Sequence, residues 1–469
     1  MHVHLAAPCI YQLELQAIRK KSINNWPRAE TDIGPESIRE MECHYFSARF
    51  FYSLNDFLRI TMERNFPSIR RKEPNRMQAF SGSTVNAPPA ADHKEHVIDA
   101  MRGFAALLVA YFHCRQVVWV GMQGFHRAYG HALDPSVLVG YLTFPFAWGS
   151  AGVPIFFVIS GYCIHRNASL KLAADPSYRL NAPNFWARRF ARIYPVLLAA
   201  LLFTLALDAV SLQIEPVSHK IRDVGLTAFL VNLFSLQGVA GYTYGSNGAL
   251  WTLSLEVQFY AIYPLLFAVR RRIGMPAVVA AVALVNVASA WLLERHDLQF
   301  FTSYWLSWTI GAWIADVRAQ QSRRADPAVA PSRAWYAAAA VLLAAGCAAF
   351  HFGQYGAFQL WAAGFACFLY RALARPPRPT RPLRVLGWFG DFSYSLYLIH
   401  LPLFVCLGSV LFHSELQLSI WPSFAFMALA IPVAYLFYRL FELPAMRWSA
   451  SFKPSRGARV VTPTPERAA

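Results

Sequence analysis

Between about residue 98 and residue 441 the chain alternates long apolar runs with short polar stretches rich in arginine. The runs fall at roughly 98–120, 138–165, 193–211, 248–269, 275–293, 299–317, 334–352, 355–371, 386–411 and 420–441. Each is near the ~20 residues that carry a helix across ~30 Å of hydrocarbon. The pattern predicts an all-α polytopic membrane protein of about ten transmembrane helices. One further run, Val224 to Gly238, is ambiguous, and the basic residues arbitrate, because cytoplasmic loops keep Lys and Arg. With ten spans and a cytoplasmic N-terminus, the inner loops collect Arg166, Arg188, Arg189 and Arg192, then Arg270, Arg271 and Arg272, then Arg318, Arg323, Arg324 and Arg333, then the arginines between 371 and 384. The outer loops hold only Arg115, Arg127, Lys220, Arg222 and Arg295. A full span at Val224 to Gly238 would turn the Arg270 triplet outward. That run therefore reads as re-entrant or interfacial on the outer face, and both termini as cytoplasmic.

Composition agrees with lipid as the solvent. The 469 residues are 56% hydrophobic and 15% charged, with mean hydropathy +0.31, which is more apolar surface than one soluble core hides. The excess of 43 Lys and Arg over 26 Asp and Glu could suggest nucleic acid. The basic residues sit between apolar runs rather than on one soluble face, so no nucleic-acid partner is expected. Seven cysteines are scattered with no C-x-x-C, and neither a disulfide framework nor a metal site is expected. Residues 1–95 read as a poorly structured cytoplasmic extension, with a basic cluster at Arg70, Arg71 and Lys72 and a linker from Pro74 to Ala91. They carry no signal-peptide pattern. An alternative start of translation lies at Met77. The membrane domain is placed at 96–446 and a disordered basic cytoplasmic tail at 447–469.

Ionisable groups inside the apolar runs are the candidates for chemistry, since charge at membrane depth is costly and usually faces a cavity or a partner. In "HVIDAMRGFAALLVAYFHC" Arg102 and His113 are eleven residues apart, about 20° past three helical turns, so one face carries both. The competing reading of His113 is a hydrogen-bonded core histidine. In "NGALWTLSLEVQFYAIYP" Glu256 is the only acid, roughly 10 Å below the outer face, near the depth expected for His113. A carboxylate beside an imidazole orients its tautomer and suits it as a general base toward a hydroxyl; a structural ion pair or a hydroxyl-capped Glu256 is the bland alternative. "NFWARRFARIYPVLL" sets Arg188, Arg189 and Arg192 at the start of the third span. Forked guanidiniums there suit phosphate oxygens, although such a cluster is more often an orientation signal. Ser160 and Gly161 in "GVPIFFVISGYCI" read as close packing, and a nucleophilic Ser160 lacks an adjacent base. His400 and Tyr397 in "GDFSYSLYLIHLP" also face the interior, and Glu442 with Pro444 reads as a helix terminus.

These segments together resemble the acyltransferase-3 family of membrane acyltransferases, over about residues 95–446. Arg102 and His113 match its Arg-x10-His motif; "FFVISGY", "RRFARIYP", "LWTLSLEVQFY" and "SYSLYLIHLP" are similar to its other elements in order. The resemblance implies an O-acyltransferase of the bacterial inner membrane, with acyl-CoA as donor substrate rather than a permanently bound cofactor and a carbohydrate or glycolipid as acceptor. It implies that His113 is the catalytic base, that Arg102 supports it or the donor, and that Arg189 and Arg192 approach the donor from the cytoplasm. Ala100 stands where the family commonly has glycine, and Pro154 where an acid is frequent. Many relatives carry a C-terminal extracytoplasmic domain, so the chain is expected to act alone or with a separate extracytoplasmic partner. Two rival readings are a proton-coupled transporter, for which the repeats of hydropathy are lacking, and a silent scaffold, which buried ionisable groups disfavour.

Overall fold

The computed structural model describes residues 96–130, 134–293, 296, 298–323, 332–378 and 380–452. The N-terminal extension, Met77, Arg295, Arg324 and the tail from 453 lie outside the described residues. Among the described residues the regular elements are helices, joined only by two isolated bridges, Trp119 to Gln417 and Gln237 to Gly241. Eight helical segments are long and apolar enough to cross a membrane: His96–Val118, Phe144–Ala174, Ala182–Ser211, Gly248–Ile273, Met275–Leu293, Gln354–Ala374, Ser393–Phe412 and Trp421–Ser451. Two further helices, Trp305–Arg323 and the shorter Ala334–Ala349, occupy the positions of the remaining predicted runs.

In chain order the helices are α1 (His96–Val118), α2 (Gly121–Tyr129), α3 (Pro135–Leu142), α4 (Gly152–Ala174), α5 (Ala182–Ser211), α6 (Leu226–Leu233), α7 (Trp251–Ile273), α8 (Met275–Leu293), α9 (Trp305–Arg323), α10 (Ala334–Ala349), α11 (Gln354–Ala374), α12 (Arg381–Asp391), α13 (Ser393–Phe412), α14 (Trp421–Phe437) and α15 (Leu443–Ser451). Two predicted runs are broken. In the second, Asp134 caps α3 by accepting from the Ser136 N–H at 2.7 Å, Pro135 occupies the first turn, and a 3-10 segment Phe144–Ala151 with Trp148 off helical geometry leads into α4. Helix α4 then runs to Ala174, so Arg166 and Lys171 lie on the helix rather than in a loop. In the ninth, Phe392 leaves helical geometry and separates α12 from α13. Helix α12 exposes Arg381, Arg384, Trp388 and Asp391 on one side and packs along α1 with the other. The ambiguous run forms only α6, eight residues or about 12 Å long, too short to cross.

Burial separates centre from periphery. The apolar window of α13 is 72% buried and those of α1 and α4 61%, against 22% for α8 and 28% for the segment holding α14 and α15. The α4–α9 crossing explains "ISGY": a Cβ at Gly161 would lie 1.9 Å from the Trp308 carbonyl oxygen, and one at Gly311 1.9 Å from that of Val158. Without a hydrophobic force between helices in lipid, such backbone proximity is what packing has to offer. Helices α5, α7, α13 and α14 each carry an interior proline, which leaves a carbonyl without its i+4 donor, and at two of them a side chain answers it. Pro402 frees Leu398, whose oxygen accepts from Asn247 Nδ2 at 2.9 Å, and Pro264 frees Tyr260, which accepts from Trp186 Nε1 at 3.1 Å. The basic ends of α4, α5, α7, α9 and α11 all fall on one side of the bundle, called here the arginine-rich end.

Replacing Gly311 by Leu should push α9 off α4 and cost about 1–3 kcal/mol or more. A melting temperature in detergent equal to that of the wild type would contradict this packing.

Candidate active site

The unbroken α1 keeps Arg102 and His113 on one face. What meets His113 there is a second imidazole. His113 Nδ1 lies 2.8 Å from His400 Nε2, and the two rings are nearly coplanar, edge to edge, with centroids 5.1 Å apart and an 8° interplanar angle, as an in-plane N–H···N bond requires. The other His400 nitrogen, Nδ1, lies 3.0 Å from the Leu396 carbonyl oxygen. A carbonyl only accepts, so His400 carries its proton on Nδ1. In the neutral ring Nε2 is then an acceptor, and His113 Nδ1 must be the donor. The proton of His113 is thereby fixed on Nδ1, and its Nε2 keeps the lone pair. His400 is fully buried between the rings of Tyr397 and Phe404, whereas His113 is only half-buried.

Helix α13 is held to α7 one turn below this pair. The Tyr397 hydroxyl shares a 2.7 Å bond with Thr252 Oγ1 and donates to the Ala249 carbonyl at 3.1 Å. This contact sets the depth of Glu256. His400 lies three residues beyond Tyr397 toward the far end, and Glu256 four residues beyond Thr252 toward the arginine-rich end. At 1.5 Å per residue the two are about 10 Å apart in depth. The expected pairing of Glu256 with His113 is therefore not what the fold provides. The Glu256 carboxylate accepts instead from Ser160 Oγ at 3.1 Å and from the Tyr260 hydroxyl. Ser160 in turn accepts from Trp308 Nε1 at 3.3 Å.

A third group lies at similar depth to Glu256. Glu442, buried and re-aimed by the π turn Tyr438–Glu442, accepts at the start of α13 from the Ser395 N–H (3.1 Å) and Ser395 Oγ (2.6 Å). A carboxylate suits that position because a helix N-terminus has free N–H groups and partial positive charge. Glu442 is thus an internal cap rather than a terminus beside the solvent. Arg102 and Arg192 both act electrostatically on it. Arg189 lies 5.7 Å from the Tyr260 ring centroid and 5.5 Å from that of Phe185, while Arg188 is exposed. Arg189 Nε, the Tyr394 hydroxyl and Glu442 Oε1 are buried with no hydrogen-bond partner in the structure. Buried polar atoms are costly unless something polar meets them, so this interior suits a polar occupant.

The sequence residues divide accordingly. The structure groups Arg102 with Arg192 and Glu442, places Glu256 with Ser160 and Tyr260, and joins His113 to His400. His400 was legible as an interior residue, but its bond to His113 was not, because the α1–α13 pairing is a tertiary fact. Among the described residues no three His, Cys, Asp or Glu side chains gather as a metal site.

Comparison with known proteins adds an independent line. Residues 95–439 match the model of an acyltransferase domain, acyltransferase-3. The chain is similar to nodulation protein 10 of Rhizobium leguminosarum bv. viciae, 27% identical over 211 residues, 42% of this chain and 50% of the relative. It is similar to the peptidoglycan O-acetyltransferase OatA of Listeria monocytogenes, 30% identical over 136 residues, 28% and 21% of the two chains. It is also similar to the acyltransferase MdmB of Streptomyces mycarofaciens, 29% identical over 178 residues, 38% and 40%. The matched stretches span half or less of these relatives' own length. No solved structure matches the chain. An acyltransferase domain leaves the transport and scaffold readings without support.

Proposed function

The chain belongs to the acyltransferase-3 family, and on that premise we propose that it moves an acyl group, acetyl in the simplest case, from acyl-CoA to a hydroxyl of a carbohydrate such as lipopolysaccharide, exopolysaccharide or a glycolipid. The observation that carries the reading is the His113 Nδ1 bond to His400, which leaves His113 Nε2 as an unprotonated acceptor in a half-buried position. That is the state a general base needs before it meets a hydroxyl. Relatives named as O-acetyltransferases of peptidoglycan support a carbohydrate acceptor.

In this reading Nε2 of His113 takes the proton of the acceptor hydroxyl as its oxygen attacks the thioester carbonyl. The tetrahedral centre collapses, the C–S bond breaks, and the proton on Nε2 passes to the leaving thiolate, so the ring ends neutral and coenzyme A leaves as the thiol. While His113 is an imidazolium, its Nδ1–H stays bonded to His400, whose own Nδ1–H rests on Leu396. The arginine-rich end is the cytoplasmic one by the distribution of basic residues, and the donor enters there. Arg192 and Arg189, with Arg188 at the rim, hold its phosphates. Tyr260, beside Arg189, lies one turn beyond Glu256, so the guanidinium sits about 16 Å in depth from the imidazole pair. The pantetheine arm spans that interval past Glu256. Glu256 assists by fixing Ser160 and Tyr260 along the arm, and Arg102 holds the Glu442 charge that caps α13.

Deleting the gene should remove ester-linked acyl groups from a surface glycan, as read by mass spectrometry of saponified and intact material. The wild-type gene should restore them, and His113→Ala should not, although the protein still reaches the membrane. Full restoration by His113→Ala would refute the assignment. For His400→Leu, the expected outcome is a fall in kcat of about 10²-fold or more with an unchanged KM for the donor, because the base loses its tautomeric bias. A purely structural role would instead lower the amount of folded protein and leave kcat per folded molecule unchanged.

A further inference from the structure

A second group of buried charges lies away from the imidazole pair. His165 and Asp316 are buried to 0% and 1% exposure between α4, α7 and α9. His165 bonds the Tyr263 hydroxyl through Nδ1 (3.1 Å) and Asp316 Oδ1 through Nε2 (3.3 Å). Asp316 also takes Arg270 in a two-pronged contact, Nε at 2.9 Å and Nη2 at 2.5 Å, and Gln320 Nε2 on its second oxygen at 2.6 Å. Two members of this network, Arg270 and Gln320, line a cavity of about 570 Å³ at the arginine-rich end, together with Leu172, Pro176, Arg271 and Arg323.

Basic residues in the last turns of helices ordinarily complement the helix dipole and cap free carbonyls. Arg270 does neither with its fork, since two of its nitrogens are spent on Asp316. A buried ion pair of this kind is poor value as stabilisation, because desolvation offsets most of the attraction. What it does achieve is a guanidinium held rigidly in the cavity wall. Beside it, Arg271 Nε is buried with no hydrogen-bond partner. The charged side chains that line the cavity are the guanidiniums of Arg270, Arg271 and Arg323; Asp316 is bonded to Arg270 and Gln320 behind that lining, and Asp175 acts electrostatically on Arg271. The balance is positive, and the volume falls within the range of small-ligand sites. Tyr263, bonded to His165, links the network behind the cavity to the donor arginines: its ring packs on Phe185 at 5.0 Å, and its hydroxyl lies in the field of both Arg189 and Arg270.

We propose that this cavity is a second phosphate site, which holds the phosphorylated nucleoside end of the thioester donor while Arg189 and Arg192 hold the linking phosphates. The proposal rests on the reading of acyl-CoA as donor. Arg270 and Asp316 are rigid framework; Arg271 and Arg323 supply the free N–H groups. The same phosphate chemistry is offered by the headgroup of an anionic lipid, and the test separates the two sources.

Full-length protein in phosphatidylcholine nanodiscs is titrated with adenosine 3′,5′-bisphosphate, as wild type and as Arg271→Gln/Arg323→Gln, a pair that leaves Asp316 paired and should melt as the wild type does. The double variant should bind about tenfold or more weakly. The wild type should also favour acetyl-CoA over its 3′-dephospho analogue in KM, and the variant should lose that preference. Equal bisphosphate affinity in the two proteins overturns the proposal. So does the lipid outcome, in which nanodiscs containing phosphatidylglycerol raise the wild-type melting temperature and not the variant's, with nucleotide binding unchanged. If no coenzyme A thioester donates an acyl group to any acceptor, the donor reading fails, and the bisphosphate titration still decides the cavity.

Discussion

One hydrogen bond, between two imidazoles on helices nearly three hundred residues apart, sets the terms for the rest of the molecule. It has value only if α1 and α13 keep their rotation and depth to within a fraction of an ångström, and the surrounding contacts do that. Tyr397 pins α13 to the start of α7 through Thr252 and Ala249. Asn247 reaches the carbonyl that Pro402 leaves free, and Cys114, next to His113, donates to the Ser423 carbonyl of α14 at 3.3 Å. Asp208, buried in α5, accepts from the N–H and hydroxyl of Ser246 and so holds the loop that delivers Asn247. Together these contacts fix where the pair sits.

The lipid environment explains why the support takes this form. A soluble enzyme can stabilise a catalytic residue with a large apolar core, but apolar burial between helices contributes little in hydrocarbon. Close backbone approach and satisfied polar groups remain. The α4–α9 contact at Gly161 and Gly311 is of the first kind. The answered carbonyls below Pro264 and Pro402, and the Glu442 cap on α13, are of the second. Polar groups therefore mark both the scaffold and the candidate route through it. Asp208 is satisfied by Ser246. Arg189 Nε, the Tyr394 hydroxyl and Glu442 Oε1 have no such partner, and they lie where the donor arm is proposed to run.

Much of this was legible in the sequence, for a physical reason. Apolar length reports on a helix that crosses lipid, and the eleven-residue spacing of Arg102 and His113 survives because nothing in α1 interrupts its period. Depth was less legible. Counting residues from predicted span ends put Glu256 level with His113, whereas the Tyr397–Thr252 contact sets Glu256 about two turns lower. Helix ends fray the count at both spans, and a single turn of error moves a side chain by about 5 Å. The internal breaks at Trp148 and Phe392 were hidden because an apolar run keeps its hydropathy through a kink. His165 and Asp316 fell outside the motif reading altogether; their only sequence signal was one histidine and one acid inside apolar helices.

Which nitrogen of His113 carries the proton is directly observable. The protein is labelled with ¹⁵N-histidine and placed in nanodiscs at neutral pH, and the His113 resonances are assigned by their loss in His113→Gln. They should show a protonated Nδ1 and an unprotonated Nε2, with Nδ1 coupled across a hydrogen bond to His400. A proton on Nε2 of His113, or a ring with no coupling to His400, would contradict the reading of that atom as the base.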